Sequence, residues 1–175
     1  LISNGKEDNT SYDFDVCFIG SFEIARFNQL CFLCKHGIEV NIFGNGWPKI
    51  VPDNMAVNMP VYGHEYRNIA RRSRINLIFL RHQNFDEVTS RSYEIPAFNV
   101  FFLAEESSVH QHLYGAKEIL FTSRETLLEH VNYWLQNSEK ERKKLSQKIS
   151  YKISVPRNTI RHQVSYILAQ AGLKK

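Results

Sequence analysis

The stretch Asp86–Glu106 combines polar residues suited to binding an anion and a sugar with an apolar segment that can hold them in place. Its start, an acid followed by Thr89 and Ser90, is typical of a helix N-terminus. The predicted helix carries Arg91 and Glu94 three residues apart, which places both head groups on one face. A guanidinium can bind a diphosphate through two parallel hydrogen bonds, and a carboxylate can accept hydrogen bonds from two sugar hydroxyls. We therefore expect the functional site here.

The same spacing fits a second interpretation, a local ion pair between Arg91 and Glu94 worth only about 0.2–0.5 kcal/mol. The sequence leaves both interpretations open. After these residues, Pro96 predicts a turn, and the apolar run Val100–Ala104 predicts a buried strand.

Short apolar runs alternate with helical patterns along the chain. The predicted strands are Asp15–Gly20, Ile38–Phe43, Met55–Met59, Ile75–Leu80, Val100–Leu103 and Glu118–Phe121. The predicted helix caps are Ser21, the pairs Thr122-x-x-Glu125 and Ser138-x-x-Glu141, and Asn158 or Thr159. This alternation predicts an α/β fold, a doubly wound Rossmann-like parallel sheet of about six strands in the order 3-2-1-4-5-6, flanked by helices and followed by extra C-terminal helices.

In such a sheet a ligand lies beyond the carboxyl ends of the strands where the strand order reverses, here between the first and fourth strands. Backbone N–H groups after Gly20 and Ser21, with Arg26 further along the helix, could bind a phosphate there. A turn glycine and a surface arginine are the alternative. The turn lacks the G-x-G-x-x-G pattern and the chain lacks a P-loop pattern, which disfavours nicotinamide, flavin and P-loop nucleotide sites.

The composition is that of an ordinary folded protein: 175 residues, 43% hydrophobic and 23% charged. We expect a flexible lead-in at residues 1–12 and one domain at residues 13–175. No apolar run approaches the roughly 20 residues that cross a bilayer. The first residues, LISNGKEDNT, contain no initiator Met and lack the layout of a signal peptide, so we expect a fragment of a longer, cytoplasmic protein.

Three cysteines, Cys17, Cys31 and Cys34, cannot all pair within the chain. Cys31-x-x-Cys34 has the spacing of redox and zinc motifs, but it falls inside an apolar helical pattern without a second Cys pair. Core thiols in a reducing compartment are therefore favoured, with metal or redox chemistry as the alternative. We expect neither a metal site nor a cofactor.

The net charge of +4 is unevenly distributed. Residues 138–175 carry ten Lys/Arg and two Glu, whereas the preceding residues have a net charge of −4. Such a basic end could meet nucleic acid, acidic lipid or an anionic substrate, or it could be a solvated helical face.

Five segments in this order resemble the carboxy-terminal, donor-binding domain of GT-B glycosyltransferases, and most of all the group-1 relatives that include CgeB-like spore-maturation proteins. They are DVCFIGSFEIAR, PVYGHEYRNIARRSRINLIFL, DEVTSRSYEIPAFNVFFLAEE, YGAKEILFTSRETLLEHVNYWL and RNTIRHQV. The family run R-x-(F/Y)-E-I-P-A, followed by an aliphatic strand and an acid, corresponds to Arg91, Tyr93–Ala97, Val100–Leu103 and Glu105. The resemblance extends over nearly the whole chain.

The resemblance implies separate roles for individual residues. The family carries an E-x7-E element whose first acid contacts the transferred sugar and whose second contacts the nucleotide ribose. Glu94 matches the second acid, and Asp86, one methylene shorter than Glu, stands where the first would be. Arg91 and Arg26 are the implied cations for the departing diphosphate, with amide donors from Thr89–Ser90.

The implied reaction is transfer of a sugar from a nucleotide-diphosphate sugar, with retention of configuration and without a bound metal. The family's acceptor site lies mostly on an N-terminal domain absent from this sequence, so we expect the chain alone to bind donor weakly and to turn over little. The competing hypothesis is a non-enzymatic α/β module whose basic C-terminal helices bind nucleic acid or an acidic partner. The sequence contains no recognisable nucleic-acid-binding motif. The base, sugar and acceptor do not follow from the sequence.

Overall fold

A computed structural model describes residues 12–154 and 160–172. In these residues, six strands form one parallel sheet in the order β3-β2-β1-β4-β5-β6. The strands are β1 (Phe14–Ile19), β2 (Val40–Phe43), β3 (Met55–Asn58), β4 (Ser73–Ile78), β5 (Phe102–Glu105) and β6 (Leu120–Phe121). The predicted fold class and strand order are confirmed.

Helices connect the strands and follow the sheet. They are α1 (Ile24–Lys35), α2 (Gly63–Arg71), α3 (Arg91–Ala97), α4 (Ser108–Tyr114), α5 (Arg124–Gln136), α6 (Glu139–Ile153) and α7 (Ile160–Gln170). Two 3-10 turns lie at His82–Asn84 and Lys117–Ile119. The second turn takes up part of the predicted sixth strand.

The centre of the sheet is buried because helices cover both faces, as the unbroken apolar runs predict. In β1, Val16 is fully buried and pairs in register with Val40 of β2 and Ile75 of β4, which are also fully buried. Removing a large apolar side chain from water contributes about 1.5–3 kcal/mol. This central core fixes the strand ends that carry the site.

The start of α1 differs from the prediction. The helix begins at Ile24 with Glu23 as its N-cap, and Ser21 does not cap it. The physical reason is that Phe22 N–H donates to the carbonyl of Asn45 at 2.9 Å, which keeps the chain in a turn beyond Ser21.

The cap of α5 also lies one residue later than predicted. Ser123 Oγ accepts from Thr126 N–H at 3.2 Å, and Thr126 Oγ1 accepts from Ser123 N–H at 3.0 Å. The predicted pair of Thr122 and Glu125 was wrong because Thr at the third helical position can complete the box itself. Ser138 caps α6 as predicted. The predicted cap at Asn158 or Thr159 lies outside the described residues.

Pro96 lies inside α3 and does not form the predicted turn. Proline has no N–H, so the carbonyl of Ser92 loses its helical donor. Tyr114 of α4 replaces that donor, since its hydroxyl donates to Ser92 O at 3.0 Å. The chain turns instead at Asn99, which adopts the left-handed conformation with φ of 58°.

The cysteines are free thiols, as the core interpretation predicts. Burial raises the pKa of Cys17 to about 12 and that of Cys34 to about 11. Thiols with raised pKa values stay protonated at neutral pH and are poor nucleophiles.

The last described helix differs from the others in its exposure. In α7, Val164, Ile167 and Leu168 are 49%, 62% and 38% exposed. Across the described ranges, every helix is too short or too polar to span a bilayer.

Candidate functional site

A cavity of about 270 Å³ lies at the carboxyl ends of β1 and β4, where the strand order reverses. Its lining residues are Phe18, Ser21, Arg26, Phe79, Arg81, Asn84, Asp86, Thr89, Ser90 and Arg91. Six of the eight predicted site residues are among them: Ser21, Arg26, Asp86, Thr89, Ser90 and Arg91. The structure therefore brings together two segments that are about 60 residues apart in sequence, at the usual ligand position of a doubly wound sheet.

Gly20 does not line the cavity, but it shapes the cavity's wall. Its N–H donates to Phe43 O at 2.9 Å, so this amide is already used within the protein. Its carbonyl accepts from Trp47 Nε1 at 2.9 Å. A Cβ at this position would lie 2.6 Å from Phe18 Cζ, which explains the need for glycine.

Glu94 is exposed on α3 and also lies outside the cavity lining. Glu94 and Arg91, both among the described residues, form no ion pair, so the local-pair interpretation was wrong. Burial raises the pKa of Tyr66 in α2, and the nearby carboxylate of Glu94 raises it further. Glu94 therefore faces α2, outside the cavity lining.

Arg26 is buried, at 5% exposure, so the surface-arginine interpretation was wrong. Its Nη2 donates to Leu80 O at 2.9 Å, and its Nη1 donates to Ser21 O at 3.3 Å. Nη2 also lies 3.2 Å from Oε2 of the buried Glu23. These bonds tie the start of α1 to the end of β4 across the point where the strand order reverses.

Three guanidinium groups meet in the cavity: those of Arg26, Arg81 and Arg91. Burial lowers the pKa of Arg26, and the positive charges of Arg81 and Arg91 lower it further, whereas Glu23 and Glu105 raise it. Arginine stays protonated despite such a shift. The cavity is therefore a site where like charges repel each other and a bound anion would relieve the repulsion.

Two of these arginines also have a nitrogen without a partner. Nε of Arg26 and Nε of Arg91 are buried and have no hydrogen-bond partner among the described residues. Folded proteins leave few buried polar atoms unpaired, and those that remain call for a reason such as function.

Sequence reasoning missed Arg81 as a site residue. It directly follows the end of the predicted fourth strand, and this position was the available signal. Glu105 fixes this turn, because its Oε2 accepts from Leu80 N–H at 2.9 Å and its Oε1 lies 2.7 Å from His82 Nε2. Asn84, also missed, completes the lining on this side.

The segment that leads into α3 is held by side chains. Thr89 N–H donates to Ser92 Oγ at 3.0 Å. The prediction that this amide donates to a ligand was therefore wrong. Ser90, the N-cap residue, has helical φ and ψ and makes no side-chain cap. The positive character of this wall therefore rests mainly on Arg91.

Aromatic rings form the base of the cavity. Phe18 and Phe79 contact edge to face with centroids 5.2 Å apart, and Trp47 packs against Phe18 at 5.9 Å. The guanidinium carbon of Arg26 lies 5.7 Å from the centroid of the Phe18 ring. A rigid apolar base of this kind keeps water away from one side of the charged groups.

The fold and the cavity at the carboxyl ends of its strands define a Rossmann-like α/β protein with a ligand site at the reversal of strand order. The profile of the family described as glycosyl transferase-like matches residues 27–169. The chain therefore belongs to the glycosyl transferase-like family. No curated protein sequence matches it significantly.

Solved structures share the fold at low sequence identity. A mutant of the T4 phage protein BGT in complex with UDP-glucose is 18% identical, with a TM-score of 0.68. The match covers 91% of this chain and 48% of the phage chain. The α,α-trehalose-phosphate synthase (UDP-forming) from Burkholderia xenovorans is 10% identical with a TM-score of 0.67, and the match covers 93% of this chain and 45% of the synthase. A UDP-N-acetylglucosamine 2-epimerase is 14% identical with a TM-score of 0.53, and the match covers 95% of this chain and 46% of the epimerase. This chain thus spans less than half the length of these proteins.

Proposed function

We propose that the chain is the donor-binding domain of a GT-B glycosyltransferase and that its cavity binds the diphosphate of a nucleotide-diphosphate sugar. The observation that carries the proposal is the meeting of Arg26, Arg81 and Arg91 in one cavity at the reversal of strand order. Membership of the glycosyl transferase-like family supports it. The fold shared with a phage protein bound to UDP-glucose and with a UDP-forming synthase makes UDP the first nucleotide to test.

The three arginines have different tasks in this proposal. Arg91 and Arg81 face the ligand and stabilise the negative charge that develops on the diphosphate as it leaves. Arg26, fixed by Leu80 O and Glu23, supplies a positive charge that does not have to move during the reaction. Charges fixed in advance stabilise a transition state without a cost of reorganisation.

The two acids act on either side of the diphosphate. Asp86 lines the cavity and is assigned to the transferred sugar. Glu94, outside the cavity beside α2, is assigned to the ribose hydroxyls. The cavity, at about 270 Å³, falls just below the range of about 300–1,000 Å³ for complete ligand sites, so the nucleoside extends out of it toward Glu94.

The proposal includes several features beyond donor binding. The sugar is transferred with retention of configuration, without a metal, by a cytoplasmic group-1 enzyme related to the CgeB-like proteins. The acceptor binds mainly to a second domain, and the chain alone binds donor with little turnover. The shares of 48%, 45% and 46% that this chain covers of the three similar structures support a larger whole protein.

The fold alone does not select a transferase, because a UDP-N-acetylglucosamine 2-epimerase shares it. The family match favours transfer over epimerisation. In the alternative of a basic module for nucleic acid, Arg142 of α6 is not available to the partner, because it is buried. Its Nη1 donates to Trp134 O and Asn137 O, each at 2.6 Å. That arginine therefore stabilises the join of α5 and α6.

Titration calorimetry with UDP, GDP and their sugars tests the proposal. We expect heat with at least one nucleotide, loss of affinity in Arg91→Ala and a smaller loss in Glu94→Ala. Arg67→Ala is the matched control, because Arg67 is exposed on α2 and does not line the cavity. No heat with any nucleotide would overturn the donor-site assignment.

A further inference from the structure

His110 of α4 is fully buried, although it does not line the cavity. Its Nδ1 lies 2.6 Å from the carbonyl oxygen of Glu105. Its Nε2 lies 2.7 Å from Ser92 Oγ in α3. The ring stacks on Tyr114 with centroids 5.1 Å apart, so the imidazole is fixed from three directions.

These contacts determine the tautomer. A carbonyl oxygen only accepts hydrogen bonds, so Nδ1 of His110 carries the proton that it donates to Glu105 O. Burial lowers the pKa of His110, which keeps the ring neutral. Nε2 is then an acceptor for the Ser92 hydroxyl, and a lone pair of Ser92 Oγ accepts the N–H of Thr89 at 3.0 Å.

The same helix holds the segment Glu87–Ser92 at further points. Ser107 Oγ donates to Glu87 O at 2.6 Å, and Ser108 Oγ donates to Glu87 Oε2 at 2.8 Å. Tyr114 Oη donates to Ser92 O at 3.0 Å. Since α3 has seven residues and no side-chain cap, its own helical bonds stabilise it little, and α4 supplies the support.

The supported segment carries one wall of the cavity. Thr89, Ser90 and Arg91 line it, and Ser92 follows directly with its hydroxyl directed at His110. A change in the hydroxyl of Ser92 would therefore alter the backbone at Thr89 and the direction of the Arg91 side chain. His110 reaches the ligand only through these residues.

We propose that His110 is a positioning residue of the donor site, which through Ser92 fixes the Thr89–Arg91 wall and the guanidinium of Arg91 toward the diphosphate. This inference rests on the proposed function. It assigns a task to a residue without ligand contact.

Two substitutions of His110 separate positioning from packing. In His110→Gln the side-chain oxygen lies near the place of Nε2 and can accept from Ser92, but the donor to Glu105 O is lost. In His110→Asn the amide nitrogen lies near Nδ1 and can donate to Glu105 O, but no atom reaches Ser92. Both variants lose the ring stacking on Tyr114, so a purely structural role predicts equal effects on nucleotide binding.

The experiment measures UDP affinity by calorimetry in the full chain. We expect about a tenfold loss in His110→Asn and in Ser92→Ala, corresponding to one buried hydrogen bond, and about a two- to threefold loss in His110→Gln. His112→Gln is the matched control, because His112 is exposed on the same helix.

The outcomes are distinct. If the wild-type chain binds neither UDP nor GDP, the proposed function and this inference both fail. If it binds GDP and not UDP, the same variants are compared with GDP. If it binds UDP and Ser92→Ala keeps its affinity within about twofold, this inference alone fails. Equal losses in His110→Gln and His110→Asn also overturn it. If His110→Asn does not fold, Ser92→Ala removes the same contact from its other end and still decides.

Discussion

Two segments bring arginines into the cavity, and they are built in opposite ways. The first turn (residues 20–26) is held by main-chain bonds, in which the amides of Gly20 and Phe22 donate to carbonyls at and just after the end of β2, and its Arg26 is buried. The second loop (residues 81–91) is largely exposed, including Arg81, and Phe85 is 91% exposed. Arg26 is therefore a fixed charge inside the protein, whereas the second loop carries the arginines that can contact a ligand.

The difference also explains where support comes from. The first turn is held by main-chain bonds to β2 and the residues after it, and by Arg26, which bonds to Ser21 O in the turn and to Leu80 O just after β4. The second loop depends on α4, whose side chains bond to Glu87 and Ser92. Substitutions in the first turn should therefore change stability, whereas substitutions in the second loop should change binding.

The largest effect is expected for Arg26→Leu. Removing the guanidinium leaves the carboxylate of Glu23 buried without its partner, and breaking a buried pair in this way costs about 3–5 kcal/mol. Urea unfolding measures the loss. The double variant with Glu23→Gln should recover part of it, and a loss below about 1 kcal/mol would show that the first turn is not a scaffold.

Arg91→Ala should have the next largest effect, and on binding. A charged hydrogen bond contributes about 1.5–3 kcal/mol, so UDP affinity should fall about 10- to 100-fold in calorimetry. The free energy of unfolding should stay within about 0.5 kcal/mol of wild type. Arg91→Lys keeps the charge but loses the planar guanidinium that forms two parallel hydrogen bonds, so it should restore affinity only in part. A large loss of stability in Arg91→Ala would remove the contrast between the two segments.

Lowering the pH should weaken the contacts through which His110 of α4 holds the second loop. Burial lowers the folded-state pKa of His110 below its ordinary value of 6.5, so the unfolded chain binds the proton more tightly. His110 therefore contributes fully to stability above about pH 6.5, and its contribution falls as pH decreases, by at most about 1.4 kcal/mol per pH unit. Glu105, the charged group facing the ring, opposes the shift. In urea unfolding between pH 7.5 and 5.5, the free energy of unfolding should change less with pH in His110→Gln than in wild type. An identical pH dependence would contradict the prediction.

The smallest effect is expected for Arg81→Ala. Arg81 is exposed, and exposed charges contribute about 0.2–1 kcal/mol, so UDP affinity should fall less than about fivefold. The effect should shrink further as salt is added, because exposed charges are screened. A loss as large as that of Arg91→Ala, measured at the same ionic strength, would show that the two arginines share the diphosphate equally.

The sheet could be predicted because its signal is local. Runs such as Ile75–Leu80 bury every residue, and their alternation with helices fixes the strand order through rules of connection. The position of the cavity follows from that order, which is why Ser21, Arg26 and Arg91, three of the predicted site residues, line the same cavity. Strand ends were less accurate, since β4 ends at Ile78 although the apolar run continues to Leu80.

The remaining site features depend on contacts between distant residues. The burial of Arg26 requires Leu80, 54 residues away, and the task of His110 requires Ser92, 18 residues away. Neither pair has a fixed spacing in sequence. The helical place of Pro96 likewise depends on the hydroxyl of Tyr114, which no local pattern around the proline announces.

The ring contact between Trp47 and Phe18 has a spectroscopic consequence. The chain has two tryptophans, and Trp134 lies apart from the cavity, 6% exposed and packed on Phe101. Trp47 contacts Phe18, a lining residue, so a ligand that fills the cavity should change the emission of one indole and leave the other as an internal reference. The molecule therefore carries its own optical reporter of occupancy, readable without any attached dye.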